Sequence, residues 1–97
     1  MAVEVRIPTI LRTYTGGDKA VSGQGTTLAE LIDDVEGRHP GLKARLVDVK
    51  DDSATSLRRF VNVYVNDEDV RFSGGLSSPV ADGDVVVVLP AVAGGSR

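Results

Sequence analysis

The chain has 97 residues, a formal net charge of −3 and no cysteine, which indicates one small domain without disulfides, thiolate catalysis or cysteine-ligated metal. No run approaches the roughly 20 apolar residues that a membrane helix needs. The 11 Lys and Arg residues are scattered and do not form the basic patch of a nucleic-acid binder. We therefore expect a soluble, cytoplasmic protein that binds neither membrane nor nucleic acid. With His39 as the single histidine, neither a zinc site nor a Ser-His pair is convincing, and the composition argues against an enzyme.

The first predicted element is a hairpin. Apolar and polar residues alternate over residues 2–7, which is the period of a half-buried strand. Apolar residues continue to the Gly16-Gly17 pair, and a second alternating stretch runs as far as Gly23. These two stretches predict the first two strands of a sheet, paired as a hairpin.

The next predicted element is an amphipathic helix. Thr27 and Glu30 have the spacing of a capping box, whose side chains satisfy the free amides at a helix start. Apolar residues then recur at i, i+3, i+4 and i+7, which makes one stripe for a core: Leu28, Leu31, Ile32 and Val35. Residues 37–41 end the helix, and His39 is expected to cap it or face solvent. One further helical turn is predicted between Leu42 and Val47.

The second half of the chain alternates between irregular segments and strands. The acidic, aperiodic stretch 48–56 predicts a mobile surface loop. FVNVYVN, at residues 60–66, predicts a strand, and residues 66–69 predict a turn. Residues 70–72 are predicted to return as a short strand. A nearly continuous valine run at 84–89 predicts an interior strand.

Together these elements predict an α+β fold. The order ββαβββ suggests a roll in which a mixed sheet of about five strands packs on one main helix. We expect a domain over residues 1–90 and a flexible tail over 91–97 that carries a Gly-Gly pair. If the first and last strands are neighbours in the middle of the sheet, the tail leaves from its centre.

One helix covers one face of a small sheet, so the other face is predicted to be open. Phe60 and Tyr64 are expected on this open face, and the last strand is expected to add outward valines such as Val86 and Val88. Contiguous exposed apolar surface with aromatic anchors is typical of a protein interface. The alternative is that the segment from Asp48 to Arg59 folds over this patch.

Several strings of residues also resemble a known family. They are IPTILR at 7–12, RFVNVYVNDEDVRFSGGL at 59–76, ADGD at 81–84 and LPAVAGG at 89–95. Together with the order ββαβββ, they resemble the ubiquitin-like β-grasp sulfur carriers of the MoaD/ThiS type, and most closely the CysO-type carriers of actinobacterial cysteine biosynthesis. The resemblance spans the whole chain and is weakest between Ala44 and Leu57.

The resemblance implies a protein cosubstrate whose reactive group is a main-chain carboxylate, with no catalytic side chain and no bound cofactor or metal. An E1-like adenylating enzyme would use ATP and magnesium to activate the carboxylate of Gly95, and a sulfur donor would then produce a thiocarboxylate. Gly94 and Gly95 would let that end enter narrow active sites. In the cysteine route, a pyridoxal-phosphate-dependent synthase accepts the sulfur, and a zinc metalloprotease of the JAMM type releases the amide-linked cysteine.

The sequence departs from this pattern after Gly95, because Ser96 and Arg97 block its carboxylate. We interpret the two residues as a removable cap, with a cloning remnant as the alternative. Two other functions stay open at this stage: a ubiquitin-like modifier linked to lysines of target proteins, and a small subunit like that of molybdopterin synthase. The sequence does not choose between primary cysteine metabolism and a sulfur-incorporating natural-product pathway.

Overall fold

The computed structural model describes residues 2–50, 53–57 and 61–90. Five residues named as site candidates lie outside these ranges: Phe60, Gly94, Gly95, Ser96 and Arg97. Within the described ranges, none of the helices combines the length and the apolar character needed to cross a membrane.

The described part of the chain contains seven strands, two α-helices and three short 3-10 helices. The strands are β1 Val3–Arg6, β2 Ala20–Gly23, β3 Val47–Lys50, β4 Ser53–Leu57, β5 Val61–Val65, β6 Glu68–Asp69 and β7 Val85–Pro90. The α-helices are α1 Leu28–Arg38 and α2 Leu42–Leu46, and the 3-10 helices span Thr9–Thr15, Val70–Phe72 and Gly75–Ser77.

Five of the strands form one mixed sheet in the order β2-β1-β7-β5-β6. β1 and β7 are parallel neighbours, with Val5 opposite Val86, and the other pairs in this sheet are antiparallel. The predicted α+β architecture is therefore confirmed, and so is the central position of the first and last strands.

The N-terminal hairpin is confirmed as a strand pair, but its connection is not a tight turn. β1 and β2 pair antiparallel, and the 3-10 helix Thr9–Thr15 lies between them. Gly16 ends this helix with a φ of 69°, a left-handed conformation that glycine adopts without steric cost. Pro8, which precedes the helix, has no N–H to extend the β1 ladder.

The cap of α1 is a capping box displaced by one residue. The Thr27 Oγ1 accepts from the Glu30 backbone N–H at 3.2 Å, as predicted. The Glu30 carboxylate, however, accepts from the Thr26 backbone N–H at 2.8 Å and from the Thr26 hydroxyl at 2.7 Å. These bonds, the backbone one first, lower the pKa of Glu30. The side chains therefore satisfy amides on both sides of the helix start.

A pH-dependent contribution to stability follows from this cap. Because the folded-state pKa of Glu30 lies below its unfolded value, its contribution is present above the unfolded pKa and is lost as pH falls through the folded one. We expect the difference in Tm between the parent and Glu30→Gln to narrow between neutral pH and about pH 3. Glu68→Gln, at an exposed position in β6, controls for the change in net charge. A Tm difference that stays constant across this pH range would contradict the pH-dependent contribution of the Glu30 carboxylate.

The apolar stripe of α1 forms the core with the covered face of the sheet. Leu28, Leu31, Ile32 and Val35 are all buried. They line a small space together with Val5, Val63, Val86, Val88 and residues of α2. The helix thus covers one face of the sheet, as the sequence predicted.

The prediction of a loop over residues 48–56 was wrong. β3 and β4 pair antiparallel there, with Val47 opposite Leu57. Their register shifts between Asp48 and Val49, which breaks the regular alternation by which a strand is recognised in sequence. Buried Val47 and partly buried Leu57 both pack on the core, so they anchor one end of this pair.

The predicted return strand at residues 70–72 was also wrong. Asn66 and Asp67 have φ values of 50° and 73°, as in a two-residue hairpin turn that reverses the chain at once. β6 therefore returns at Glu68–Asp69. A 3-10 helix then begins at Val70, because Asp69 Oδ1 accepts from the Arg71 backbone N–H at 2.9 Å and caps it. Val70 itself is fully buried.

Candidate partner-docking face and tail exit

β7 brings the C-terminal segment out of the middle of the sheet. β1 lies beside it on one side and β5 on the other. Pro90, the last residue of β7, is opposite Val61 at the start of β5. We call this end of β7, Leu89 and Pro90, the tail exit. Pairing with β5 fixes the position of Leu89 and Pro90 at the edge of the described chain.

Val86 and Val88 were predicted to face outward, and this was wrong. Their exposed fractions are 1% and 3%, and both line the core beneath α1. Val5, a core residue, is opposite Val86 in the parallel pair, which fixes the orientation of β7. Because the valine run has no alternation, its sequence does not show which residues point inward.

The opposite face of the sheet carries a different set of side chains. Val85, Val87 and Leu89 alternate with the buried valines along β7. With residues of β1 and β5 they make up the open face: Glu4, Arg6, Asn62, Tyr64, Val85, Val87 and Leu89. Tyr64 lies on this face, opposite Val87 and partly exposed, as the sequence analysis predicted.

The segment considered as an alternative cover is only partly described. β3 and β4 pair with each other. β3 contacts α2, and β4 contacts the 3-10 helix Gly75–Ser77. The remaining residues of that segment, 51–52 and 58–60, lie outside the described ranges.

Arg71 contacts the two residues of β5 that pair with the tail exit, and no pattern in the sequence indicated this role. Its guanidinium donates to the Val61 carbonyl at 2.6 Å and to the Asn62 side-chain oxygen. Val61 and Asn62 are opposite Pro90 and Leu89. Arg71 therefore stabilises the part of β5 that flanks the tail exit, beyond the reach of the two-residue strand β6.

Three large apolar side chains stand out as exposed in the described part of the chain. They are Ile10 at 67%, Phe72 at 87% and Leu89 at 45%. Ile10 and Leu89 line the same groove beside the tail exit, and Phe72 follows Arg71 in the chain. Exposed apolar residues that share a groove, as Ile10 and Leu89 do, are typical of a protein interface. The string IPTILR contained Ile10, but its place in an apolar stretch beside Leu11 gave no signal of exposure.

His39 occupies the position that the sequence predicted. It is the C-cap residue of α1, and its backbone N–H donates to the Val35 carbonyl at 2.9 Å. Among the described residues, no group of three or more His, Cys, Asp and Glu side chains is arranged to hold a metal ion.

The decisive comparison is with a family of known proteins. A sequence model of the ThiS family matches residues 5–95, from within β1 to Gly95. The chain belongs to the ThiS family. The resemblance inferred from the sequence strings is thereby confirmed, and the match stops before Ser96 and Arg97.

Individual ThiS-family relatives agree with this assignment. The sulfur carrier protein CysO of Mycobacterium tuberculosis is 59% identical over 95 residues, which cover 98% of this chain and 100% of the relative. The crystal structure of the Amycolatopsis orientalis BexX/CysO complex matches with a TM-score of 0.86 and 63% identity, covering 94% of this chain and 97% of the matched one. The crystal structure of M. tuberculosis CysO matches with a TM-score of 0.85 and 58% identity, covering 93% and 99%.

The structural matches also confirm the ubiquitin-like β-grasp fold of this ThiS-family chain. Within that fold, the tail exit lies at the end of a central strand, five residues before the end of the family match at Gly95. The named relatives are described as carriers rather than as enzymes.

Proposed function

We propose that this ThiS-family protein is a sulfur carrier, a cosubstrate that other enzymes act on. The observation that carries the proposal is its 59% identity, over 95 residues, to a protein named as a sulfur carrier. The family match extends to Gly95, which supports that glycine as the residue whose carboxylate reacts.

The proposed chemistry begins with activation, because a carboxylate is a poor electrophile. A carboxylate oxygen of Gly95 attacks the α-phosphate of ATP, and pyrophosphate leaves. Sulfide then attacks the acyl carbon and displaces AMP, and loss of a proton leaves a thiocarboxylate without any change of oxidation state. ATP and magnesium belong to the adenylating partner, while this chain supplies the carboxylate and presents it.

Two features support this role: the fixed position of the tail exit and the length of chain between it and Gly95. The tail exit is held by the pairing of Leu89 and Pro90 with β5, while the five residues from Ala91 to Gly95 can span at most about 17 Å when extended. That length lets Gly95 enter a partner's active site while the open face rests on the partner's surface. Gly94 and Gly95 lack a Cβ and fit a narrow channel.

We further propose that the sulfur acceptor is a separate enzyme. The acceptor implied by the family resemblance is a pyridoxal-phosphate-dependent synthase that forms cysteine from O-phosphoserine, with a JAMM-type zinc metalloprotease as the releasing enzyme. A sulfur-incorporating natural-product enzyme is the alternative acceptor. The BexX/CysO complex of the Amycolatopsis orientalis relative supports recognition of such carriers by a partner protein. Pyridoxal phosphate and zinc belong to those partners.

Adenylation is the first step that tests this proposal. A form of the chain that ends at Gly95 is expected to stimulate ATP–pyrophosphate exchange by the adenylating enzyme from the same organism. The 97-residue chain is the matched control and should give no stimulation, because its Gly95 carboxylate is in a peptide bond. Equal exchange with both forms would contradict the assignment of Gly95 as the reacting residue.

Ser96 and Arg97 provide a separate prediction about maturation. We propose that they form a cap that a metalloprotease of the releasing class removes after Gly95. Incubation with that protease should shift the intact mass of the chain by the loss of both residues. Ser96→Pro, which alters the bond to be cut, is expected to resist cleavage. If the parent chain keeps both residues under conditions in which the protease is active, the cap proposal is wrong.

A further inference from the structure

A groove beside the tail exit has a distinct composition. It runs between the end of β7, the end of β1 and the beginning of the 3-10 helix Thr9–Thr15, and β2 borders it. Apolar residues make up much of its lining, among them Pro8, Ile10, Val87, Leu89 and Pro90. We call it the tail-exit groove.

Three cationic side chains also line this groove: Arg6, Arg12 and Lys19. The single acidic residue in the lining is Glu4, and it forms an ion pair with Arg6 at 2.7 Å. Arg12 donates its Nε–H to the Ile7 carbonyl at 3.1 Å, which orients the guanidinium without neutralising its charge.

Lys19 is exposed, and its side chain makes no hydrogen bond or ion pair with the described part of the chain. Arg12 and Lys19 thus leave a local positive excess on a chain whose formal net charge is −3. By contrast, acidic partners pair with the cations of the helix side: Arg38 with Asp34 at 2.8 Å, and Lys43 with Asp33.

We propose that the tail-exit groove receives an acidic segment with apolar neighbours on the adenylating partner. This inference rests on the proposed function and adds the chemistry of the partner's contact. Aspartate or glutamate side chains would meet Arg12 and Lys19, while apolar side chains would contact Ile10 and Leu89. Complementary charge of this kind accelerates encounter and fixes orientation. A contact beside the tail exit also directs the following residues toward the partner.

The tail of this chain is a poorer match for the groove than an acidic partner. Residues 91–97 contain no aspartate or glutamate, and Arg97 adds a positive charge. The tail therefore offers little net negative charge to Arg12 and Lys19. A partner segment with two or more carboxylates meets both cations.

The test compares association rates of 97-residue chains with the adenylating enzyme from the same organism, at low and high salt. Arg12→Gln/Lys19→Gln is expected to slow association about tenfold at low salt and to remove most of the salt dependence. Arg38→Gln/Lys43→Gln removes the same charge from the helix side and should stay close to the parent. Lys19→Arg retains the charge and should also stay close to the parent. Circular dichroism would verify that each variant is folded.

Two results would overturn the proposal. Equal slowing of association in both double variants would show a general effect of net charge. Faster association of the Arg12→Gln/Lys19→Gln variant would indicate that the chain's own tail occupies the groove. Sulfur transfer is measured separately on forms that end at Gly95. If the parent acquires sulfur while groove neutralisation leaves association unchanged, the groove inference fails and the carrier function stands. If the parent acquires no sulfur from an active partner, the carrier function fails.

Discussion

Replacement of Gly95 with phenylalanine, in a form that ends at residue 95, is expected to abolish thiocarboxylate formation. In the proposed chemistry the carboxylate passes through a narrow channel of the partner, whose walls the new side chain would meet. Even a displacement of about 1 Å from the reacting geometry can cost about 100-fold in rate. We therefore expect a loss of at least about 100-fold in the rate of sulfur incorporation. The Tm should not change, because the position lies beyond the last strand.

The matched control introduces the same side chain elsewhere. Gly37 lies on α1 without a positive φ, and a Cβ added there would meet no atom within 4 Å, so Gly37→Phe adds bulk in open space. This control should accept sulfur at the parent rate. A Gly95→Phe protein that is modified as quickly as the control would show that the reacting end is not threaded through a channel.

The second large effect is expected at Tyr64, on the open face. Tyr64 lies opposite Val87 in the pairing of β5 with β7, and aromatic side chains near the centre of an interface contribute strongly to binding. Tyr64→Ala should weaken binding to the adenylating enzyme by about 1–3 kcal/mol. Isothermal titration calorimetry would measure this change in affinity.

Asp33→Ala serves as a control for Tyr64→Ala, because Asp33 is exposed on α1, on the other side of the sheet. Its affinity should match that of the parent. Since Tyr64 is itself partly buried, the Tm of each variant must be measured beside its affinity. An unchanged affinity for a folded Tyr64→Ala protein would place the docking site elsewhere.

Elements with a clear period were predictable from the sequence. The apolar stripe of α1 and the Thr27 cap both lie where their spacing indicated. The central strand β7 was also predicted, because its valine run required cover on at least one face. These patterns involve residues close together in the sequence, so residue spacing alone was enough to predict the elements.

The errors arose where long-range pairing decided the structure. The orientation of Val86 depends on its alignment with Val5, more than 80 residues earlier in the chain. β3 and β4 were missed because a register shift breaks their alternation. At residues 70–72, a tight turn at Asn66 and Asp67 ended the return strand sooner than the residue pattern suggested.

The candidate site was predictable to a different degree in each of its parts. The open face followed from having one main helix and one sheet, and Tyr64 was assigned to it correctly. Arg71 was not predicted, because its bond to the Val61 carbonyl joins two segments whose approach depends on the turn between them. The tail-exit groove was missed for the same reason, since its cations come from separate elements.

The most direct test of the carrier function is the intact mass of the form that ends at Gly95 after incubation with the adenylating enzyme, ATP, magnesium and a sulfide donor. The expected result is a mass increase that corresponds to one oxygen replaced by sulfur, located by fragmentation at the C-terminal carboxylate. Omission of ATP should prevent this change. An unchanged mass, with an enzyme shown to be active on another carrier, would contradict the proposed function.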